Sequence, residues 1–586
     1  IINKRVKTVL NKMKELGRVS EEEYNNAISE VDAGIKFTKG EVSQNNKLSY
    51  YLEAARDQVL NELMEKNNYS RDEAKLELYG KGYQIYTNLD QSIQAEVDKE
   101  FIDNAKKWSI TIKANRTNKE TGEKYKEEVQ RQGAMVVINN ETGYVVAGSG
   151  GFGEKKVAEG INRMTIKGHS PGSCMKPIGI IGPSLEEGKI TAATTVDDIP
   201  TSFGTYAPKN WYDHGGNKGY MNIRELLQTS ANVPEVILLQ KLTVPKSLSY
   251  LEKMGVDVSA EKDVGLSLAL GGMTNGMTPL ELATCYGTVA NGGVYRTPLF
   301  YTKVVDQNGR TVLEAKQEST RVFSEQNAWI LQDLLKEPIY NGITGGGNAK
   351  VAGHETRGKT GTTNNNSSAS FAGFTKLYTA SVCMFFDIEA DGNQNTNANS
   401  TQCAILWGNV MRPVHKGLEA KTWNRPSGIT TAVVCKTSGQ LATEECQHDP
   451  EGNKAYTEYF SQGNIPASYC TVHKTVEVCT KTNKLASSKC TEKVSRVFIT
   501  RENADTDTRW KSAADAKYMA PTETCTECAE QAPIDDVTDP NGNGNSVVNN
   551  MINVTNKTNT TNTTNTTNKV TNTTNTANNV TNTAGN

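Results

Sequence analysis

The segment Ser170-Pro-Gly-Ser-Cys-Met-Lys-Pro177 places Ser173 and Lys176 three residues apart, just after a Pro-Gly turn and ahead of the apolar run Ile178-Gly-Ile-Ile. If a helix starts near Ser173, residues at this spacing share one face, and the lysine amine can reach the serine hydroxyl. A serine at its free pKa is a poor nucleophile and needs a base. A lysine serves as that base only where burial or a neighbouring cation keeps it neutral near pH 7. Taken alone, Ser-x-x-Lys is a common accident of helix starts.

Two further clusters change that balance. Ser230-Ala-Asn232 follows the helical run Ile223-Arg-Glu-Leu-Leu-Gln and offers a hydroxyl and an amide to a shared cleft. Lys359-Thr-Gly-Thr-Thr363 follows the Gly-rich Gly345-Gly-Gly-Asn and precedes strand-like sequence. On a strand beside the nucleophile, Lys359, the hydroxyls of Thr360 and Thr362 and the backbone around Gly361 could hold a carboxylate and a developing oxyanion. Each cluster is weak by itself, but the three in this order are a far rarer coincidence.

The elements that must position these groups can be read from patterning. Ala134-Met-Val-Val-Ile and Tyr144-Val-Val-Ala flank the turn Asn139-Asn-Glu-Thr-Gly143 and predict a hairpin. Helical sequence dominates from about 174 to 290, and strands resume at Phe371-Ala-Gly-Phe and Tyr378–Phe386. Strands, then helices, then strands predict an α+β fold, an antiparallel sheet covered by helices. Upstream, Val6, Val9, Leu10, Met13 and Leu16 have helical spacing, Gly17 sits where a C-cap belongs, and Ser20 with Glu23 makes a capping box, so 1–30 reads as a helical hairpin. An extended Tyr83-Gln-Ile-Tyr-Thr and a helix begun by Asp90 lie in the connecting region.

Seven of the eleven cysteines lie after residue 430, which hints at an oxidising compartment. Val434-Cys-Lys-Thr-Ser-Gly-Gln-Leu-Ala-Thr-Glu-Glu-Cys446 repeats as Val478-Cys-Thr-Lys-Thr-Asn-Lys-Leu-Ala-Ser-Ser-Lys-Cys490, with cysteines and Leu-Ala in register. Disulfides Cys435–Cys446 and Cys479–Cys490 would each close a small loop and staple a region poor in core residues. Metal binding is the rival reading, since Cys525-Thr-Glu-Cys528 has a zinc-like spacing. With its second half missing and no histidine motif beside it, the sequence-level expectation is disulfides and no metal.

The chain has 586 residues and a net charge of −2, so no strong field steers it onto nucleic acid. Its length suggests about three to five folding units. Hydrophobic residues make up 36 %. With glycine counted and tyrosine left out the share is roughly 40 %, below the globular norm of roughly 45 to 50 %. The dilution is local: residues 541–586 are nearly all Asn, Thr, Gly and Val, too polar to offset their ordering entropy. No apolar run approaches the roughly 20 residues needed to span a bilayer. The chain begins Ile1-Ile2 without a Met, and the expectation is a fragment whose signal or anchor lies upstream.

On these motifs the sequence resembles the class A, bifunctional penicillin-binding proteins of bacteria. Ile161-Asn-Arg ahead of the nucleophile, Tyr206-Ala-Pro-Lys-Asn210, the stretch Leu268–Ala283 and Ala290-Asn-Gly-Gly-Val-Tyr-Arg-Thr-Pro add to the likeness, which covers about 133–425. The resemblance implies a serine DD-transpeptidase. Ser173 would form an acyl-enzyme with a stem peptide ending in D-Ala-D-Ala, Lys176 would be its base, and Ser230 would relay a proton to the leaving amine. Asn232 would bind the peptide, and Lys359 would shape the electrostatics of the cleft. Thr360, Gly361 and Thr362 would hold the terminal carboxylate, with an oxyanion hole from the backbone N–H groups of Ser173 and Thr362. Cys174, where the family commonly has a small hydroxyl residue, is expected to be a packed residue, because the lysine spacing favours Ser173.

The implied partners are stem peptides, nascent glycan, β-lactam antibiotics and the division or elongation machinery, with no nucleic acid. The implied place is the outer face of a bacterial cytoplasmic membrane, in a Gram-positive source, with the anchor upstream of this chain. No cofactor is expected for transpeptidation, although a divalent metal would serve an upstream glycosyltransferase domain. The expected layout is a glycosyltransferase remnant at 1–36, a linker at 37–132, the transpeptidase at 133–425, a Cys-containing repeat region at 426–530 and a disordered tail at 531–586. A DD-carboxypeptidase, a β-lactamase and a β-lactam-binding sensor share the three motifs. Ala231, where a class A β-lactamase would carry Asp, and the long flanks argue against the lactamase.

Overall fold

A computed structural model describes residues 2–34, 47–118, 120–166, 168–212, 216–363, 366–387 and 399–528. The Asn/Thr-rich stretch lies outside the described residues. At the centre is a five-stranded antiparallel sheet built from Gln132–Asn139 (β1), Val145–Ser149 (β2), Arg357–Thr362 (β3), Ser368–Phe374 (β4) and Tyr378–Phe385 (β5). The spatial order is β3-β4-β5-β1-β2, so β3 is an edge strand. The β1–β2 hairpin turns at Asn139–Gly143, where the Asn139 side chain accepts from the N–H groups of Glu141 and Thr142 and Gly143 takes φ +75°.

Alternation along the strands divides the core between the two faces of the sheet, as a period of two requires. Ala372, Phe374, Cys383 and Phe385 join one cluster with Cys285 and Tyr286, whereas Phe371, Val382 and Met384 join a second with Cys403 and Trp407. Four helices matter for the site: Ile223–Thr229 (α1), Val233–Leu242 (α2), Pro279–Ala290 (α3) and Ser400–Val414 (α4). Helix α3 lies on the first face. It opens with a Thr278–Glu281 capping box and Pro279 in its first turn, and from Leu282 to Ala290 every residue is buried. Helix α4 covers the second face, so the expected α+β arrangement of a sheet covered by helices is the one observed.

The N-terminal hairpin forms as Ile2–Glu15 and Glu21–Gly34, with Gly17 at φ +60° and the Ser20–Glu23 capping box in place. Val9, Met13 and Leu16 stay exposed. The region after it is sewn into the main body. Gln84–Thr87 pairs with Tyr301–Val305, Asp90 caps the next helix, and Tyr51 donates its hydroxyl to the carbonyl of Val145 at 2.6 Å. The Asn162–Arg163 pair belongs to this seam: Asn162 donates to the Tyr50 carbonyl and Arg163 pairs with Asp387. Its role is structural.

After α4 come two similar hairpins, Ile429–Cys435 (β6) with Ala455–Ser461 (β7), and His473–Cys479 (β8) with Lys493–Ile499 (β9). The internal repeat is therefore a repeated β-hairpin. The structure shows no disulfide joining Cys435 to Cys446 or Cys479 to Cys490. Each of these strands runs into a tight turn. Gly439 N–H closes on the Cys435 carbonyl and Asn483 N–H on that of Cys479. Each turn aims its sulphur at a shared point with residues from farther along the chain, not at its loop partner alone.

Candidate active site

The three sequence motifs converge on one cleft of about 610 Å³ lined by Ser173, Ser230, Asn232, Thr360 and Thr362. Ser173 sits in a single 3-10 turn, Gly172–Cys174, packed beside the edge strand β3. The Pro-Gly turn ahead of it has a strict requirement. Gly172 adopts φ +55°, and a Cβ there would stand 2.7 Å from the Thr362 backbone nitrogen. Gly271, in the Leu-Gly-Gly stretch, packs equally close on Gly172, and Ser170 Oγ donates to the Gly271 carbonyl at 2.7 Å. Glycines on both sides let three backbones meet behind the nucleophile.

Cys174 points the opposite way. It is fully buried, its Sγ donates to the Lys359 carbonyl at 3.1 Å, and burial raises its thiol pKa. A buried protonated thiol is a packed residue and not a nucleophile.

Lys176 follows on the same helical segment and is completely buried. Its Nζ donates to the carbonyls of Ser230 and Ala231 at 2.8 and 2.7 Å and to Asn232 Oδ1 at 2.9 Å. These bonds tie the first motif to the second. Burial, reinforced by the Lys359 cation and opposed by Glu235, lowers its pKa to about 7. An amine poised there is partly neutral at physiological pH, as a general base requires. Among the described residues Ser173 Oγ has no hydrogen-bond partner, so the hydroxyl is left to the cleft.

Ser230 ends α1 in the left-handed conformation, φ 54°. That backbone is strained for a non-glycine residue and here it aims the hydroxyl between two lysines. Ser230 Oγ accepts from Lys359 Nζ at 2.8 Å and from Lys176 Nζ at 3.4 Å. Lys359 is also fully buried, and burial lowers its pKa to about 8. Gly361 is obligatory, since a Cβ would stand 2.0 Å from the Pro171 carbonyl oxygen. Thr360 Oγ1 donates to Thr344 Oγ1, and Thr362 is exposed at the cleft.

Four further features shape the site, of which only Asn210 lies in a stretch quoted from sequence, and there without a role. Asn210 accepts from the N–H groups of both Asn232 and Val233 and donates to the buried carboxylate of Asp198, which fixes the second motif. Trp211, half exposed, forms part of the cleft wall and donates its indole N–H to Thr229. The first turn of α4, from Asn399 to Gln402, closes another side. Glu235, on α2, is fully buried with neither carboxylate oxygen hydrogen-bonded, and burial raises its pKa while Lys176 and Lys359 oppose the rise. Only the Asn210 signal was readable in advance, in Ala207-Pro-Lys-Asn210.

Residues 133–411 match the penicillin binding protein transpeptidase domain, and residues 425–475 match the C-terminal domain of penicillin-binding protein 1A. Penicillin-binding protein 1A of Clostridium perfringens is 32 % identical over 488 residues, covering 81 % of this chain and 57 % of that protein. Its Clostridium botulinum counterpart is 32 % identical over 520 residues, covering 85 % and 60 %. The chain thus spans less than two thirds of the length of these relatives. Among solved structures, penicillin-binding protein 1A from Haemophilus influenzae aligns with a TM-score of 0.57 at 20 % identity, covering 80 % of this chain and 83 % of that one. PonA1 from Mycobacterium tuberculosis in complex with penicillin V aligns at 0.51 and 22 %, covering 64 % and 96 %. At these identities the structures speak to the fold.

Proposed function

The chain belongs to the class A penicillin-binding proteins, and on that premise we propose that it is a serine DD-transpeptidase acting through an acyl-enzyme on Ser173. The observation that carries the residue assignment is Lys176 Nζ, buried, with its pKa lowered to about 7 and bonded to the second motif, one helical turn after a serine whose hydroxyl has no hydrogen-bond partner among the described residues.

Ser173 Oγ attacks the penultimate D-Ala carbonyl of a stem peptide and passes its proton to neutral Lys176 Nζ. The developing oxyanion is received by the backbone N–H groups of Ser173 and Thr362. The C–N bond then breaks, and the departing D-Ala amine takes a proton relayed from Lys176 through Ser230 Oγ. The hydroxyls of Thr360 and Thr362 hold the terminal carboxylate, and Lys359, charged below about pH 8, makes the cleft electropositive toward it. Asn232 binds the peptide backbone. The amine of a second stem resolves the ester, restores Ser173 and leaves a new amide cross-link. A β-lactam presents a strained amide to the same hydroxyl and stays bound to it.

No helix among the described residues is long and apolar enough to cross a membrane. Stem peptides of peptidoglycan as substrate support a reaction on the outer face of the bacterial cytoplasmic membrane.

A fluorescent penicillin should label the protein and fail to label Ser173→Ala. Incubation with nascent glycan and an acceptor amine should then give cross-linked dimers. Covalent labelling of the alanine variant would overturn the nucleophile, and D-Ala release without dimers would move the activity to a carboxypeptidase.

A further inference from the structure

Beyond the cleft, the sulphurs of Cys435, Cys446 and Cys470 and a ring nitrogen of His473 all lie within 4.8 Å of one another, and all four residues are buried. We propose that these four side chains form a structural zinc site, Cys₃His, that folds the C-terminal hairpin region onto the transpeptidase.

The geometry is that of a tetrahedral cage. Bonds of about 2.3 Å to sulphur and about 2.0 to 2.1 Å to nitrogen put sulphur and nitrogen about 3.6 Å apart across a zinc ion. His473 Nδ1 lies 3.3 Å from Cys435 Sγ and 3.5 Å from Cys470 Sγ. The other ring nitrogen, Nε2, is 2.7 Å from Asp449 Oδ2. A carboxylate there keeps the proton on Nε2 and turns the Nδ1 lone pair toward the sulphurs, the outer-shell arrangement typical of metal-bound histidine. The backbone N–H of Thr443 points at Cys446 Sγ at 3.3 Å, a bond that favours a thiolate.

A second, independent observation is that the chain builds the cage twice. In the other repeat Cys479, Cys490 and Cys525 come together in the same way. Ser487 N–H points at Cys490 Sγ at 3.3 Å, and Cys525 N–H is held by the Leu485 carbonyl just as Cys470 N–H is held by that of Leu441. In sequence, Cys470-x-x-His473 has its counterpart in Cys525-x-x-Cys528, so the ligand set is kept although the intervening residues and loop lengths differ. Among the described residues, the partly buried apolar side chains packed on the three cysteines are small, Ala442, Ala455 and Val472, so a bound ion would add a tie that apolar contact there does not supply.

The first repeat also touches the transpeptidase. The turn after Cys435 abuts the segment before the second motif: Thr195 Oγ1 donates to the Lys436 carbonyl at 3.2 Å, and a Cβ on Gly439 would stand 2.5 Å from the Ala193 carbonyl oxygen. Zinc binding by three thiols and a neutral imidazole releases three protons to solvent, so affinity falls as pH falls.

The test is elemental analysis of the full chain, purified without chelator, alongside mass mapping under non-reducing conditions. Zinc is expected in the intact protein. The content should drop by one equivalent in Cys470→Ala and be retained in His473→Cys, which recreates the four-sulphur set. Cobalt loaded into the intact chain should show thiolate-to-metal charge-transfer absorption, a readout that needs no variant. Labelling by fluorescent penicillin reports that each variant is folded. A chain free of zinc, a Cys435–Cys446 disulfide in the mass map, or stoichiometric iron in place of zinc would each overturn the proposal.

Discussion

Ser230 Oγ lies 2.8 Å from Lys359 Nζ and 3.4 Å from Lys176 Nζ, one hydroxyl between two fully buried amines. Two ammonium groups this close in a low-dielectric site cannot both stay charged cheaply. The proton therefore leaves Lys176 first, at about 7, while Lys359 keeps its charge to about 8. One lysine becomes the base and the other remains the cation, and the hydroxyl between them connects their protons.

Acylation by penicillin is expected to follow a bell-shaped pH profile. Below about 7 Lys176 is charged and cannot accept the Ser173 proton, so the rate rises as pH passes through that value. Above about 8 Lys359 loses the charge that draws the carboxylate into the cleft, and the rate falls. Stopped-flow acylation across this range checks both limbs. A rate independent of pH would remove Lys176 from the role of base, and Lys176→Arg should lose roughly 10²-fold or more in rate.

Glu235 tunes that profile from behind. Its carboxylate raises the pKa of Lys176, so Glu235→Gln should move the ascending limb to lower pH, by roughly one unit or less. The position of the limb is the informative readout, because a merely structural loss would lower the rate at every pH alike.

The glycines behind the nucleophile are expected to be intolerant. Gly172→Ala brings a Cβ to 2.7 Å from the Thr362 nitrogen at φ +55°, and neither backbone can yield without displacing the cleft. We expect a stability loss of about 1 to 3 kcal/mol and near-complete loss of penicillin labelling. Cys174→Ala makes the contrast: it deletes one buried atom, costs about 1 kcal/mol and leaves labelling on Ser173. Loss of labelling in the cysteine variant with the fold intact would mean the thiol does more than pack.

How legible the site was depends on the range over which its geometry is set. Ser173 and Lys176 lie within one helical turn, and Lys359 to Thr362 lie on one strand, so their spacing already stated their relation. Asn232 took its meaning from order along the chain. Glu235 had no such signal: a glutamate in the first turn of a helix reads as a dipole partner, and only the folded chain turns it inward toward two lysines. The fold was readable where apolar residues alternate, as in Ala134–Ile138. Cys435 and Cys446 flank a short loop, which in sequence looks like a disulfide. Their other partners, Cys470 and His473, arrive only after a whole hairpin has been laid down, although Cys-x-x-His was there to be seen.

The last prediction concerns how the C-terminal hairpins support catalysis. Arg224, on the helix that ends at Ser230, is gripped by Glu458 from β7 through two bonds of 2.6 Å, and by Asp333 at 2.6 Å. Glu458 is fully buried, so its carboxylate has exchanged water for this guanidinium and for the N–H of Tyr459. Glu458→Gln keeps the shape but gives up the bidentate charge-assisted pair and leaves an amide N–H₂ facing a cation. We expect about 1 to 3 kcal/mol of destabilisation, with Arg224 still held by Asp333. Because Arg224 touches neither Lys176 nor Lys359, the acylation rate should fall while the pH midpoints stay in place. A shift of those midpoints in Glu458→Gln, measured by the same stopped-flow acylation, would show that the hairpins act on the electrostatics of the cleft and not only on the placement of Ser230.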